Sequence, residues 1–160
     1  MPSRRYTKIG AEHHLVRRCG YQVIERDAAT NEVKGIFPAA MRLRAQSKPP
    51  ETYLSTNWLE HCDGTKAERL KAVVAIHRAK AKSPLSLESG VAVLNAGRAL
   101  DIGRAHQRRL AVRHTPTVTD PSYSRISGLP LDNSDEALIA SLAEEAYRDF
   151  MLLKQVDALP

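Results

Sequence analysis

A chain of 160 residues with 42% hydrophobic, 5% aromatic and 26% charged residues has room for one core of ordinary size, and dividing it leaves halves too small to bury enough surface. No apolar run reaches the length of a membrane span, no apolar stretch follows the basic start Met1-Pro2-Ser3-Arg4-Arg5 as a secretory signal requires, and the isolated Cys19 and Cys62 lack the spacing of a disulfide framework or zinc site. The formal charge of +6 is uneven: residues 1–114 carry 21 Lys and Arg against 10 Asp and Glu, a net of +11, and residues 115–160 carry 3 against 8, a net of −5. A basic body with an acidic end serves either a nucleic-acid surface or docking of the two halves on each other or on a partner of opposite sign.

In chain order, residues 1–12 are polar and basic with Tyr6 and Ile9 as anchors, which predicts a loosely ordered basic arm ahead of a single domain over 13–160. His13 to Glu25 carries two short apolar pieces, Leu15-Val16 and Tyr21 to Ile24, separated by Gly20, and predicts a strand with a bend. A polar turn over 27–31 and a second strand from Val33 to Phe37 make a hairpin. Ala39 to Leu43 fits a short strand or a helical turn presenting Arg42 and Arg44, and Lys48-Pro49-Pro50 closes it. Tyr53 to Glu60 starts extended and is predicted to turn helical after Ser55 or Asn57, with Asn57 and Glu60 at capping-box spacing and Trp58 and Leu59 entering the core.

Thr65-Lys66-Ala67-Glu68 is a capping box that opens a helix with Leu70, Val73, Val74 and His77 on one stripe and its stop at Ser83-Pro84. Gly90 to Asn95 is a continuous apolar run, the signature of a strand buried on both faces. Arg98 to Gln107 is a crossover turn or short helix with Gly103 as its break, and Arg109 to His114 alternates, sending Leu110 and Val112 to the core. Thr115 to Arg125, stiffened by Pro116 and Pro121, reads as an ordered loop pinned by Ile126 and Leu129, and offers His114, Asp120, Ser122, Tyr123 and Arg125 as binding groups. After Asn133 to Glu136, Leu138, Ile139, Leu142, Ala143, Ala146, Phe150 and Leu153 recur at helical spacing, and Val156 to Pro160 frays. The architecture predicted is α+β: a small mixed or antiparallel sheet from the 15–43 and 90–114 regions packed by two main helices, those opening at Thr65 and Ser134.

For chemistry, the chain lacks GxxxxGK[ST], GxGxxG and GxSxG, and His13-His14 and His61-Cys62-Asp63 lack metal-ligand spacing, so neither a metal nor a cofactor is predicted. What remains is the scattered set Arg17, Arg42, Ser55, Thr56, His114 and Tyr123, residue types that a small transferase or nuclease gathers in a cleft. An arginine on an early strand, Ser55-Thr56 after an extended piece and Glu60 soon after resemble the order in ADP-ribosyltransferases, from which no residue role is carried over. The pieces Tyr53-Leu54-Ser55-Thr56-Asn57-Trp58-Leu59-Glu60 and Pro121-Ser122-Tyr123-Ser124-Arg125-Ile126-Ser127-Gly128-Leu129-Pro130 are similar to motifs in small bacterial proteins of unknown function. That resemblance implies a bacterial, cytoplasmic origin and no activity; histidine is usual there where Tyr123 stands here.

Two functions follow as expectations. The first is a non-enzymatic binding subunit of a larger bacterial assembly, contacting nucleic acid or an acidic protein surface through Arg42, Arg44, Arg108, Arg109 and Arg113, with no membrane contact. The second is a small enzyme acting on RNA or a nucleotide through the 114–125 loop, with His114, Tyr123 and Arg125 as its catalytic groups.

Overall fold

The computed structural model describes residues 6–160. Among them are nine strands, β1 (Thr7–Lys8), β2 (His14–Cys19), β3 (Ile24–Arg26), β4 (Val33–Ile36), β5 (Tyr53–Trp58), β6 (Gly90–Asn95), β7 (Ala111–His114), β8 (Tyr123–Ser127) and β9 (Phe150–Leu152), and four helices, α1 (Lys66–Lys80), α2 (Ala96–Ala105), α3 (Glu136–Tyr147) and α4 (Leu153–Asp157). Seven strands form one sheet in the order β1-β7-β8-β5-β2-β6-β9, every neighbouring pair antiparallel, and β3 and β4 form a separate two-stranded hairpin. The class is α+β.

The side-chain period of two fixes which layer each strand serves. Leu15, Leu54, Ala92, Leu94, Val112 and Ile126 face a large core closed by Ala96 and Ala99 of α2 and by Leu138, Ile139, Leu142, Ala143 and Ala146 of α3. Val16, Val91 and Val93 face the other way, onto Leu70, Val73 and Val74 of α1 and Leu153 and Val156 of α4. β6 feeds both layers, which is why its sequence is apolar without alternation. α1 starts where its capping box directs: the Thr65 hydroxyl accepts from the Glu68 amide at 3.2 Å.

Several elements differ from the sequence expectation. Three helices of seven or more residues pack here where two are predicted, the third being α2, which runs through Gly103. That glycine permits close approach instead of breaking the helix, since a Cβ there would lie 2.8 Å from Leu110 Cγ and 2.9 Å from the Arg108 carbonyl. Tyr53–Trp58 stays extended throughout, with only a 3₁₀ turn at Leu59–His61, so Asn57 sits inside a strand and caps nothing. Tyr123–Ser127, read as the end of a loop, is an inner strand between β7 and β5. α3 stops at Tyr147, Phe150 belongs to the edge strand β9, and Val156, predicted to fray, is fully buried in α4. Of the basic arm over 1–12, residues 1–5 lie outside the described residues, while Thr7–Lys8 pairs with β7 and Ile9 is buried.

The uneven charge is partly resolved within the chain. Lys66–Asp149, Arg78–Asp157, Lys80–Asp120, Arg98–Glu145 and Arg108–Asp135 all join the basic body to the acidic end. No helix among the described residues is long and apolar enough to cross a membrane.

Candidate functional site

β2 pairs with β6 over six residues but with β5 over only two, Leu15↔Trp58 and Val16↔Asn57. Beyond Val16 the two strands part, and the opening is a cleft of about 470 Å³, within the range of small-ligand sites. Arg17 fills the place of the missing ladder bonds: its Nη1 donates to the Ser55 carbonyl on β5 and its Nε to the Ala40 carbonyl on the 3₁₀ turn Pro38–Met41, both at 2.9 Å. Both hydrogens of Nη2 are left without a protein acceptor among the described residues. Burial pulls the Arg17 pKa below the ordinary arginine value, yet the guanidinium stays charged at neutral pH. Among the described residues no carboxylate pairs with it, and Glu51, whose field it feels, is engaged by Arg44 at 2.6 Å.

Arg18, Arg42, Arg44 and Lys80 join Arg17 around the cleft, and no Asp or Glu lines it. Lys80 is held from behind by Asp120, and Arg42 is anchored by donation to the Asp132 carbonyl at 3.0 Å. The hydroxyls come from Tyr123 and Ser55, 2.6 Å apart across the β5–β8 pair. Burial pushes the Tyr123 phenol up, so it is a neutral donor and acceptor at pH 7.

The wall between β5 and α1 is a buried polar relay. Asp120, 0% exposed, accepts from Asn57 Nδ2 at 2.9 and 3.0 Å, from the Ser122 hydroxyl at 3.0 Å and from Lys80 Nζ at 2.7 Å. Burial alone would raise its pKa, but these three partners outweigh it and hold the carboxyl below its usual range. Because a carboxylate can only accept, Asn57 must face it with its NH₂ group, which leaves Oδ1 for His77 Nε2 at 2.8 Å. Nε2 therefore carries the proton, and Nδ1 is the acceptor of the pair. Burial first, then Lys80 and Arg18, lower the His77 pKa to about 4.

That shift predicts a pH dependence. The unfolded chain takes up a proton at the ordinary histidine pKa of about 6.5 whereas the folded chain resists it, so stability is full above that value and is lost as pH falls toward about 4. Between pH 7 and 5 the loss from this one group is about 2 kcal/mol. His77→Gln keeps the donor to Asn57 and removes the titration. Urea unfolding of both proteins at the two pH values checks it, and an equal decline in each would contradict the assignment.

Of the scattered set Arg17, Arg42, Ser55, Thr56, His114 and Tyr123, all but His114 line this cleft. His114 is opposite Ser124 in the β7–β8 register and Tyr123 is one residue away on β8, so their side chains leave opposite faces of the sheet. His114 donates from Nε2 to the Pro121 carbonyl at 2.7 Å and meets Trp58 edge-on, 5.1 Å between ring centres. Arg125 lies between the Tyr6 and Tyr53 rings at 4.4 and 4.8 Å. The three residues predicted to act together thus do not converge: His114 leaves one face of the sheet, and Tyr123 and Arg125, two residues apart on β8, leave the other. Asp120 and Ser122 are buried in the wall of the cleft.

The five arginines predicted to form one basic face divide: Arg42 and Arg44 line the cleft, while Arg108, Arg109 and Arg113 line a cavity of about 650 Å³ beside α2 and β7, with Lys8 and Arg104. Glu60 is bonded to His14 through both oxygens and stands outside the cleft. Arg18, Asn57, His77 and Lys80 join the site without having been singled out for it. The available signal was His77 on the buried stripe of Leu70, Val73 and Val74, where a polar ring needs a partner. Burial pushes the Cys19 thiol up to about 11, so beside Arg17 it is an inert packing group. Among the described residues no group of three or more His, Cys, Asp or Glu is placed to hold a metal ion.

No protein-family model, no curated protein and no solved structure matches the chain.

Proposed function

We propose that the chain binds a phosphate-bearing nucleotide in the cleft between β2 and β5. The observation that carries this reading is Arg17, a desolvated guanidinium tied to two backbone carbonyls, with no carboxylate partner among the described residues and a free edge at the cleft. An unpaired, partly buried cation is costly, and a phosphate supplies the missing charge in a geometry the guanidinium matches bidentately. Arg18 and Arg42 add charge at the rim. Ser55, Tyr123 and the Nδ1 acceptor of His77 supply the hydroxyl and imidazole contacts that sugar hydroxyls require. This favours the nucleotide-acting alternative from the sequence, moved from the 114–125 loop to the cleft. The reading as a basic-faced binding subunit of an assembly draws less support, because its five arginines divide between two cavities.

Calorimetric titration with ADP, pyrophosphate and adenosine tests it. ADP and pyrophosphate are expected to bind and adenosine to bind far more weakly. Arg17→Met is expected to weaken ADP binding by about 10- to 100-fold, the worth of a charge-assisted hydrogen bond, and Arg17→Lys to recover only part of it. Equal affinity for ADP and adenosine, or wild-type ADP affinity in Arg17→Met, would overturn the reading.

A further inference from the structure

The half of the sheet made by β1, β7, β8 and β5 has one face that no helix core uses. The second core takes only Val16, Val91 and Val93 from the seven-stranded sheet's buried residues, so the apolar faces of α1 and α4 cover β2 and β6, and α1 reaches farther only through His77 and Lys80 at the Asn57–Tyr123 end of β5 and β8. On the uncovered face Tyr53, Ser55, Tyr123, Arg125, Ser127 and Ala111 are all half-exposed, while their neighbours along each strand are buried. This alternation is that of an antiparallel sheet with one face open.

The register places a line of cations across that face. Lys8 is opposite Arg113, Arg113 is opposite Arg125, and Arg125 is opposite Ser55. Like charges directly opposite on neighbouring strands are unfavourable, and among the described residues Lys8, Arg113 and Arg125 have neither an ion pair nor a side-chain hydrogen bond. The Arg125 guanidinium carbon lies 4.4 Å from the centre of the Tyr6 ring and 4.8 Å from that of Tyr53, so the cation sits against two aromatic rings. The line ends at Ser55, whose hydroxyl meets Tyr123 and whose carbonyl holds Arg17. At a strand spacing of about 4.8 Å, it spans roughly 14 Å and runs into the cleft.

We infer that this open face is a track for single-stranded nucleic acid, whose terminal nucleotide enters the cleft; the inference rests on the nucleotide reading of that cleft. A row of cations neutralises successive phosphates, and the tyrosines that flank it offer ring faces to unstacked bases, the combination by which open sheets hold single strands. A duplex keeps its bases stacked inside and makes no use of the rings.

The test is fluorescence anisotropy with a labelled mixed-sequence oligonucleotide of about twelve residues, as RNA, as DNA and as the matching duplex, over about 50 to 200 mM salt. Wild type is expected to bind single strands at least ~10-fold more tightly than duplex, with the RNA and DNA arms showing whether the 2′-hydroxyl is read. Arg113→Gln/Arg125→Gln is expected to weaken single-strand binding at least ~10-fold at low salt and to flatten the salt slope by about 1.4, at about 0.7 per phosphate contact, while its calorimetric ADP affinity stays that of wild type. Lys8→Glu/Arg113→Glu, which leaves the Tyr6–Arg125–Tyr53 stack in place, is expected to show the same loss, and circular dichroism to show native structure in both. No oligonucleotide binding by wild type, equal binding of duplex, or a wild-type salt slope in folded double variants would overturn the track. If wild type fails to bind ADP yet binds single strands through this row, the cleft reading falls and the track stands.

Discussion

Leu142→Asp is expected to leave no cooperative unfolding transition at 25 °C. Leu142 is 0% exposed in α3, inside the core that also holds Leu15, Leu54, Leu94 and Ile126. A carboxylate there has no partner, and the combined loss of burial and cost of an unpaired charge is about 5 kcal/mol or more, comparable with the whole stability of a domain this size. Leu142→Ala is the measurable version, expected to cost about 3 kcal/mol in urea unfolding through the cavity it leaves. A Leu142→Asp protein that melts with wild-type midpoint would show that α3 is not packed on the sheet.

The second large effect belongs to Asp120. Its carboxylate binds groups from three places, Asn57 on β5, Lys80 at the end of α1 and Ser122 in its own loop. Lys80 retains access to solvent, so removing its partner does not strand a buried charge. Asn57, 1% exposed, has no such escape. Asp120→Ala is therefore expected to cost about 3 kcal/mol, mainly because the Ser122 hydroxyl and one Asn57 donor lose their acceptor while Asn57 keeps only Ser122 Oγ, and to release His77 from its fixed orientation. Asp120→Asn is expected to be nearly as costly, since its amide offers Asn57 one acceptor oxygen in place of two and removes the charge that holds Lys80. The measurements are chemical unfolding and the ADP titration on the same variants; wild-type stability in both would mean that the relay contributes nothing.

How much of this was legible in the chain varies with how local the cause is. β6 reads directly because both its faces are buried, and α1 because Thr65 and Glu68 make their bonds within one turn. The β3–β4 hairpin reads because its turn is short, but the single bent strand expected over 13–25 breaks at a 3₁₀ turn over Tyr21–Val23 into β2 and β3, which belong to different sheets. β8 does not read, because its inward positions carry Ser124 beside Ile126, and a buried hydroxyl satisfied by Thr56 erases the hydrophobic period. The end of α3 is hidden for the opposite reason: Phe150 and Leu153 continue the helical spacing although they belong to a strand and a separate helix. At the site, residue types were readable in Arg17, Arg42, Ser55, Thr56 and Tyr123. What holds them was not, because Asn57 and Asp120 are separated by 63 residues and their pairing exists only in the folded sheet.

The order of strands also governs how the molecule comes to exist. In the seven-stranded sheet, β7 and β8 are the one neighbouring pair that also follow each other directly among the described strands; Thr7 must find His114, and Tyr53 must find Ser127. Chain-closure entropy for such distant contacts is spent before the ladders return it, which places the chain among topologies that fold in roughly milliseconds to seconds. The cleft inherits that delay, since its floor at Arg17 and its hydroxyl wall at Tyr123 meet only after β8 has docked on β5. A nascent chain released before β8 has emerged carries every arginine of the site and none of the site itself.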